Sequence, residues 1–295
     1  MLLDNLLLHP LTKTSLLRFS QRPPHFLMIS GGRGSGKLHL AENLAAHWLE
    51  LKSVENLRNY PYYQHVQKEP GSQDISIDMV RQLIKSLKLK IPVQTSVKRV
   101  VAIEEAQLLS LEAQNALLKI LEEPNPGTSF IMTTPSQTAL LPTIVSRAQH
   151  LEINSPTLQA AKQFYGAKYS STLLDSAWQL SQGRAGLMQA LLEKDSEHYL
   201  KNSISSAKVF LKKDVYGRLL QLEELVKDKA NFANFLEALN RLLTVLHHQA
   251  ILKKRPGQLL KLMASRRAVN KMQLALEENV QIRLIALHLI LNLKL

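Results

Sequence analysis

The stretch Phe26-Leu-Met-Ile-Ser-Gly-Gly-Arg-Gly-Ser-Gly-Lys37 decides the fold class. It begins as a short apolar run and ends in a glycine-rich loop, and residues 37–51 then carry apolar side chains at helical spacing. A strand, a glycine loop and a helix in this order are the context of a phosphate-binding loop. Backbone N–H groups near Gly31, Gly34 and Gly36 would cradle phosphate oxygens at the helix N-terminus, and Lys37 would bridge the terminal phosphates.

The eighth position of this loop is Leu38, where a Ser or Thr hydroxyl would coordinate Mg²⁺. A hydrocarbon side chain cannot ligate a hard cation, so metal-assisted hydrolysis lacks one of its ligands. Two interpretations stay open. The loop either binds ATP or ADP weakly without proper Mg²⁺ coordination, or is a relic that keeps its fold and binds nothing. Neither interpretation requires a cofactor.

A second buried strand, at residues 100–103, ends in Glu104 and Glu105. A hydrolytic site places an Asp there to reach the Mg²⁺ shell and then a Glu to polarise water. Glu104 is one methylene longer than that geometry requires, whereas Glu105 can still orient a water. Both departures at the metal position indicate weak or absent hydrolysis. The alternative is a pair of solvated acids after a strand.

Short apolar runs and helical patterns alternate through the first half of the chain. A third strand is predicted at 129–134, and helices are predicted at 79–89, capped by Asp78, and from Ser110 to Pro124. Residues 53–74 are polar and turn-rich, which is typical of an insertion or long loop. Beyond residue 155 only amphipathic helices are predicted, including 235–252 and 274–293.

This order of elements predicts three domains. They are an α/β module with a parallel sheet and flanking helices at 1–154, a small helical domain at 155–195 and an all-α domain at 196–295.

The amino-acid composition excludes two kinds of site and indicates where the protein is expected to be found. The 295 residues include no cysteine, which excludes disulfides and cysteine metal sites, and no metal-ligand spacing is evident. Without a signal peptide or an apolar run of eighteen residues, we expect a soluble cytoplasmic protein.

The net charge is +13, and the excess of cations is greatest near the C-terminus. It is either a solvated helical face or a DNA-facing patch. The candidate residues of that patch are Lys253, Lys254, Arg255, Arg266 and Arg267.

Further motifs lie between residues 104 and 147. They are Glu104-Glu-Ala106, Glu112-Ala-Gln-Asn-Ala-Leu-Leu-Lys119, Leu121-Glu-Glu-Pro124, Thr133-Thr134 and Leu140-Leu-Pro-Thr-Ile-Val-Ser-Arg147. Together they resemble the AAA+ clamp-loader subunits of bacterial DNA polymerase III, and the similarity covers most of residues 9–190. The run at 112–124 is far more specific than a phosphate loop alone.

The resemblance implies roles for single residues. Arg147, after Ser146, corresponds to the arginine finger that reaches the ATP site of the adjacent subunit, where a guanidinium stabilises the charge of phosphoryl transfer. Thr134 lies at or beside the sensor-1 position, and Arg184 corresponds to the sensor-2 arginine. Plainer alternatives remain: a salt-bridged Arg147, a surface Arg184, and ordinary strand residues at Thr133 and Thr134.

Within that family, a broken metal site beside an intact Ser146-Arg147 resembles the delta-prime type more than the ATP-hydrolysing gamma/tau type. The resemblance implies a hetero-oligomeric ring with gamma/tau and delta subunits, a sliding clamp and primer-template DNA, with the C-terminal helices in a collar and no membrane. Relatives commonly carry a four-cysteine zinc module, which this chain cannot form. The rival interpretations are an ATP-hydrolysing motor subunit or other AAA+ ATPase, and a non-catalytic DNA-binding scaffold.

Overall fold

The computed structural model describes residues 6–69, 71–72, 74–89, 91, 96–166, 168–193, 199–278 and 280–294. The chain forms two compact units. The first, here called the α/β unit, comprises Met1–Phe164 and Arg184–Gly186, and the second, here called the helical unit, comprises Tyr165–Gly183 and Leu187–Leu295. The boundary expected at residue 195 lies outside the described residues, and the division into three domains stays a prediction.

A parallel sheet of five strands forms the centre of the α/β unit, with strand order β2-β3-β4-β1-β5. The strands are β1 (Phe26–Ser30), β2 (Tyr63–Val66), β3 (Arg99–Ile103), β4 (Thr128–Thr134) and β5 (Gln149–Glu152). This arrangement confirms the predicted α/β fold class with flanking helices.

Helices cover both faces of this sheet. They are α1 (Pro10–Gln21), α2 (Lys37–Trp48), α3 (Ile77–Leu87), α4 (Leu111–Glu122) and α5 (Pro142–Val145). The helix α6 (Leu158–Tyr165) follows β5 along the chain. Because successive side chains of a strand point to opposite faces, Phe26 and Met28 pack with α3 and α4, whereas Leu27 and Ile29 pack with α1 and α2. Burial on both faces explains why β1 is a continuous apolar run rather than an alternating one.

Two strands lie where no strand was predicted. The interpretation of residues 53–74 as an insertion or long loop is wrong, because this segment contains a 3₁₀ helix, Val54–Asn59, and the edge strand β2. β2 is only partly buried and carries polar side chains, so it lacks an apolar pattern. Its pairing with β3 and the burial of Leu57 stabilise the segment without zinc. The other strand is β5, which is short and mostly exposed.

The caps of two helices were predicted with different success. Ser110 caps α4 as expected, because its hydroxyl accepts a hydrogen bond from the Ala113 N–H at 3.1 Å. The cap predicted at Asp78 is wrong: Ser76 accepts from the Met79 N–H at 3.4 Å, and the helix begins two residues earlier than predicted. Asp78 lies in the first turn, where its negative charge interacts favourably with the helix dipole.

The helical unit contains the remaining helices. They are α7 (Ser171–Ser181), α8 (Ala185–Leu192, whose first two residues belong to the α/β unit), α9 (Tyr199–Lys212), α10 (Val215–Leu225), α11 (Lys229–Leu252), α12 (Pro256–Glu277) and α13 (Ile282–Asn292). The rings of Phe210 and Phe235 meet edge to face at 5.1 Å within its core. Each helix in the described part of the chain is too short or too polar to span a lipid bilayer.

The single helix predicted at 274–293 is wrong. α12 ends at Glu277, and α13 begins at Ile282. Apolar residues continue at helical spacing on both sides of this break, so periodicity alone does not locate it.

Arg241 is a buried cation in the helical unit, with 3% of its side chain exposed. Its guanidinium pairs with Glu237 at 2.7 Å and donates to the carbonyl of Ser181 at 3.1 Å, at the end of α7. The residue thereby joins α11 to helix-terminal carbonyls that have no partner within α7 itself.

Replacing this guanidinium tests its structural role. Arg241→Met removes the guanidinium that pairs with Glu237 and donates to the α7 carbonyls, and breaking a buried pair in this way costs about 3 kcal/mol or more. We expect the thermal unfolding midpoint to fall by roughly 6–12 °C. The exposed Arg283 provides the matched control: Arg283→Met should change the midpoint by no more than about 2 °C. Equal midpoints for both variants would contradict the assignment.

Candidate functional site

The glycine loop joins β1 to α2 and has the backbone of an anion cradle. Gly34 and Gly36 adopt left-handed conformations, with φ of 82° and 90°. The Gly31 N–H donates to the carbonyl of Thr134 at 3.2 Å, which fixes the start of the loop to the end of β4. Gly36 precedes α2 and has no side chain with which to cap it, so the first N–H groups of the helix can face an anion.

Lys37 is folded back onto its own loop. Its ammonium donates to the carbonyl of Gly31 at 2.9 Å and to that of Gly32 at 3.3 Å. Burial lowers the pKa of Lys37; the Glu105 carboxylate opposes this shift, and the cations Arg184 and Arg33 add to it. A phosphate would have to compete with both carbonyls for this lysine.

The residues at the metal position do not fit Mg²⁺. Leu38 offers only carbon, and Oε2 of Glu104 lies 3.2 Å from Nε2 of His65, on the neighbouring strand β2. Within the described residues, no group of three or more His, Asp or Glu side chains is arranged to hold a metal ion. Leu38 thus gives the loop no hydroxyl for Mg²⁺, and weak or absent hydrolysis at this loop stays a prediction.

Polar groups at the ends of β3 and β4 connect these strands. Glu105 has a left-handed backbone, φ 47°, and its N–H donates to the hydroxyl of Thr133 at 3.0 Å. Thr134 is fully buried, and its hydroxyl donates to the carbonyl of Ser136 at 2.8 Å. The Thr134 hydroxyl is thus used within its own loop.

Arg184 and the residues after it lie against the phosphate loop. The Arg184 guanidinium donates to the carbonyl of Arg33 at 2.7 Å and lies next to Gly32. A Cβ placed on Gly186 would come within 3.0 Å of both the Gly34 oxygen and the Gly36 nitrogen. This close approach explains the glycine at position 186. Arg184 lies beside the loop, and its sensor-2 role stays a prediction.

Ser146 and Arg147 follow α5 and contact different elements. The Arg147 guanidinium donates to the carbonyl of Thr143 at 2.7 Å and forms an ion pair with Glu122 at the end of α4. The plainer alternative, a salt-bridged arginine, therefore describes its contacts in this chain. However, 32% of the Arg147 side chain is exposed, and Ser146 is exposed beside it, so both can be approached from outside.

The basic residues of the helical unit are not equivalent. Lys253, Lys254 and Arg255 are exposed at the turn between α11 and α12, and Arg267 is exposed on α12. Arg266 is half-buried and donates to Nδ1 of His247 at 3.1 Å; burial and this arginine lower the pKa of that histidine. Both interpretations of the exposed cations, a DNA-facing patch and a solvated face, stay open.

Two residues of this arrangement were not found from the sequence. Glu122 precedes Arg147 by 25 residues, and no periodicity connects them. His65 lies on β2, which the sequence patterns assigned to a loop. Recognising β2 as the neighbour of β3 would have placed His65 near Glu104, because paired parallel strands bring such positions together.

A family model described as "DNA polymerase III, delta subunit" matches residues 15–157. The match begins within α1 and ends after β5, so it covers the sheet, the phosphate loop and the segment that carries Arg147.

Curated relatives match the same part of the chain. The DNA polymerase III subunit delta' of Pseudomonas aeruginosa is 34% identical over 139 residues, which are 42% of this chain and 41% of the relative. The subunit delta' of Haemophilus influenzae is 30% identical over 138 residues, 47% of this chain and 38% of the relative. The chain thus matches about two-fifths of the length of these relatives.

A solved structure shares the fold over nearly the whole chain. A DNA polymerase III, gamma subunit-related protein from Thermotoga maritima superimposes with a TM-score of 0.55 at 19% identity. The alignment covers 95% of this chain and 97% of that one. At this identity the likeness shows the fold alone.

The carbon side chain at position 38 predicts how nucleotide binding depends on magnesium. We expect the affinity of the purified chain for ADP, measured by calorimetry, to differ by less than about twofold between Mg²⁺ and EDTA, because Leu38 offers the metal no oxygen. Leu38→Thr should make the affinity for ADP depend on Mg²⁺. Leu38→Val should not, because valine has nearly the same shape as threonine but offers no hydroxyl. A tenfold or greater effect of Mg²⁺ on the unaltered chain would contradict this account.

Proposed function

We propose, on the premise that a family model described as "DNA polymerase III, delta subunit" matches residues 15–157, that the chain works as a delta-prime-type clamp-loader subunit. In that role it lends Arg147 to ATP bound by a neighbouring subunit and does not itself hydrolyse ATP. The neighbour's hydrolysis would drive the loading of a sliding clamp onto primer-template DNA in the cytoplasm.

The observation that carries this proposal is the contrast between the two candidate sites. At the phosphate loop, the groups that would serve Mg²⁺·ATP are replaced or engaged, as Leu38 and the Glu104–His65 pair illustrate. At the end of α5, by contrast, Arg147 is partly exposed and held by the carbonyl of Thr143. An exposed guanidinium of this kind suits a phosphoryl group supplied from outside the chain.

The surface of the helical unit supports assembly with other subunits. Among the described residues, exposed large apolar side chains are most numerous on two of its helices; on α10 they are Val215, Tyr216, Leu219 and Leu220, and on α13 they are Leu284, Leu287 and Leu291. Apolar side chains grouped on helix surfaces are common at protein interfaces. We propose that they contribute to a collar with gamma/tau and delta subunits.

The exposed cations of the helical unit are a candidate for contact with DNA. Lys253, Lys254, Arg255 and Arg267 would be attracted to DNA phosphates without reading sequence. This contact stays a proposal separate from the role of Arg147.

A second candidate function is a non-catalytic scaffold. The ion pair between Arg147 and Glu122 is the observation that favours it, because that pair already gives the guanidinium a partner within the chain. The two candidates differ in what the loss of Arg147 does to a neighbour's ATP hydrolysis.

Reconstitution distinguishes them. The chain is assembled with the gamma/tau and delta subunits from the same genome, and ATP hydrolysis is measured with clamp and primed DNA. We expect Arg147→Ala to lower the rate at least about tenfold, because fingers commonly contribute several powers of ten at the site they serve. Lys37→Ala should retain most of the rate, since this chain's own loop is not the site of hydrolysis.

Arg81→Ala is the matched control, because Arg81 is also an exposed arginine paired with an acid, Asp78, at 3.2 Å. Its rate should equal that of the unaltered assembly. If Arg147→Ala also stays within about twofold, the scaffold function is correct and the finger is not.

A further inference from the structure

The guanidinium of Arg147 already has its terminal nitrogens in use. Nη1 donates to the carbonyl of Thr143 at 2.7 Å and lies 3.4 Å from the hydroxyl of Ser146, and Nη2 pairs with the Glu122 carboxylate. An arginine binds an oxyanion best through two parallel N–H groups. A phosphate that approaches Arg147 therefore competes with Glu122 for the Nη2 donor.

The fold places Glu122 beside Arg147 through a packed helix pair. Glu122 is the last residue of α4, and α4 and α5 lie against each other. Leu117 and Leu121 of α4 and Ile144 of α5 are fully buried in one cluster. In addition, the side-chain oxygen of Gln114 accepts from the Leu141 N–H at 3.0 Å. Because these contacts are buried, the position of the carboxylate relative to Arg147 does not depend on solvent-exposed loops alone.

The ion pair between Arg147 and Glu122 is strong enough to favour the arrangement in which Arg147 stays within its own chain. It is weak enough for a phosphate to displace Glu122. The exposed fractions of the side chains are 32% for Arg147 and 48% for Glu122. Exposed ion pairs typically shift an equilibrium by about two- to fivefold. A terminal phosphate carries more negative charge and more acceptor oxygens than a single carboxylate, so it can replace Glu122 at the same donor.

We propose that Glu122 is a positioning residue that holds Arg147 within its own chain until a phosphate of the neighbouring subunit replaces the carboxylate. The inference rests on the proposed function, because it concerns regulation of the same arginine. After the exchange, the carbonyl of Thr143 still holds Nη1 near α5. Glu122 thus suppresses hydrolysis at the neighbouring site until the phosphate is well placed.

The charge of Glu122 is tested in the reconstituted loader without clamp or DNA. Glu122→Gln retains the size of the side chain and an acceptor oxygen but removes the charge, so it releases Arg147 for the neighbour's phosphate. We expect the unstimulated rate of ATP hydrolysis to rise about two- to fivefold. In an Arg147→Ala background the same substitution should have no effect, since the group it releases is gone.

Glu123→Gln is the matched control, because Glu123 is the adjacent exposed glutamate and its loss changes the net charge equally. Its rate should stay at that of the unaltered loader. The proposal is overturned if Glu122→Gln behaves like Glu123→Gln or lowers the rate.

A second measurement uses the chain alone and does not depend on the loader. Arginine modification by phenylglyoxal at low salt is followed at Arg147 by mass spectrometry of peptides. We expect Glu122→Gln, but not Glu123→Gln, to accelerate modification about two- to fivefold, because the carboxylate no longer occupies the guanidinium. If Glu122→Gln leaves the modification rate at Arg147 unchanged, Glu122 does not hold this arginine. If Arg147→Ala leaves ATP hydrolysis by the loader unchanged, only the proposed finger role of Arg147 is contradicted.

Discussion

Leu38 presents hydrocarbon at the position where a phosphate loop presents a hydroxyl to magnesium. Two neighbouring side chains, Glu104 and Lys37, form contacts within the chain. Glu104 pairs with His65, and Lys37 donates to carbonyls of its own loop. The glycine backbone nevertheless keeps its left-handed turns, and Arg184 lies against it. Because a hard cation needs oxygen ligands, we expect the loop to keep its backbone conformation but not to support metal-assisted hydrolysis.

Position 38 of the glycine loop has no hydroxyl for magnesium, and Arg147 is the other candidate for a part in ATP hydrolysis. Its guanidinium lies partly exposed after α5, held by the carbonyl of Thr143 and by Glu122. A salt-bridged arginine and a finger for a neighbour are not exclusive, because an exposed ion pair is weak and a phosphate can replace a carboxylate. We therefore interpret the pair as the resting arrangement of the proposed finger. The family match over residues 15–157 includes this segment.

Sequence patterns predicted the parts of the fold that depend on local periodicity. The buried strand β1, the glycine loop and the Ser110 cap follow from short-range chemistry, and so does the place of Lys37. The edge strand β2 was missed because it is polar and half-exposed, and His65 was missed with it. The Glu122–Arg147 pair depends on the packing of α4 against α5. A contact between two helices of this kind cannot be recognised from the spacing of residues in the sequence. The break between α12 and α13 was hidden for a related reason, since apolar spacing continues across it.

The decisive measurement for the role of Leu38 is ATP hydrolysis by the purified chain alone. We expect no release of phosphate above a protein-free blank at any Mg²⁺ concentration, because Leu38 gives the metal no oxygen and Glu104 already contacts His65. Magnesium-dependent turnover on the order of one per second, typical of competent phosphoryl-transfer enzymes, would contradict this expectation.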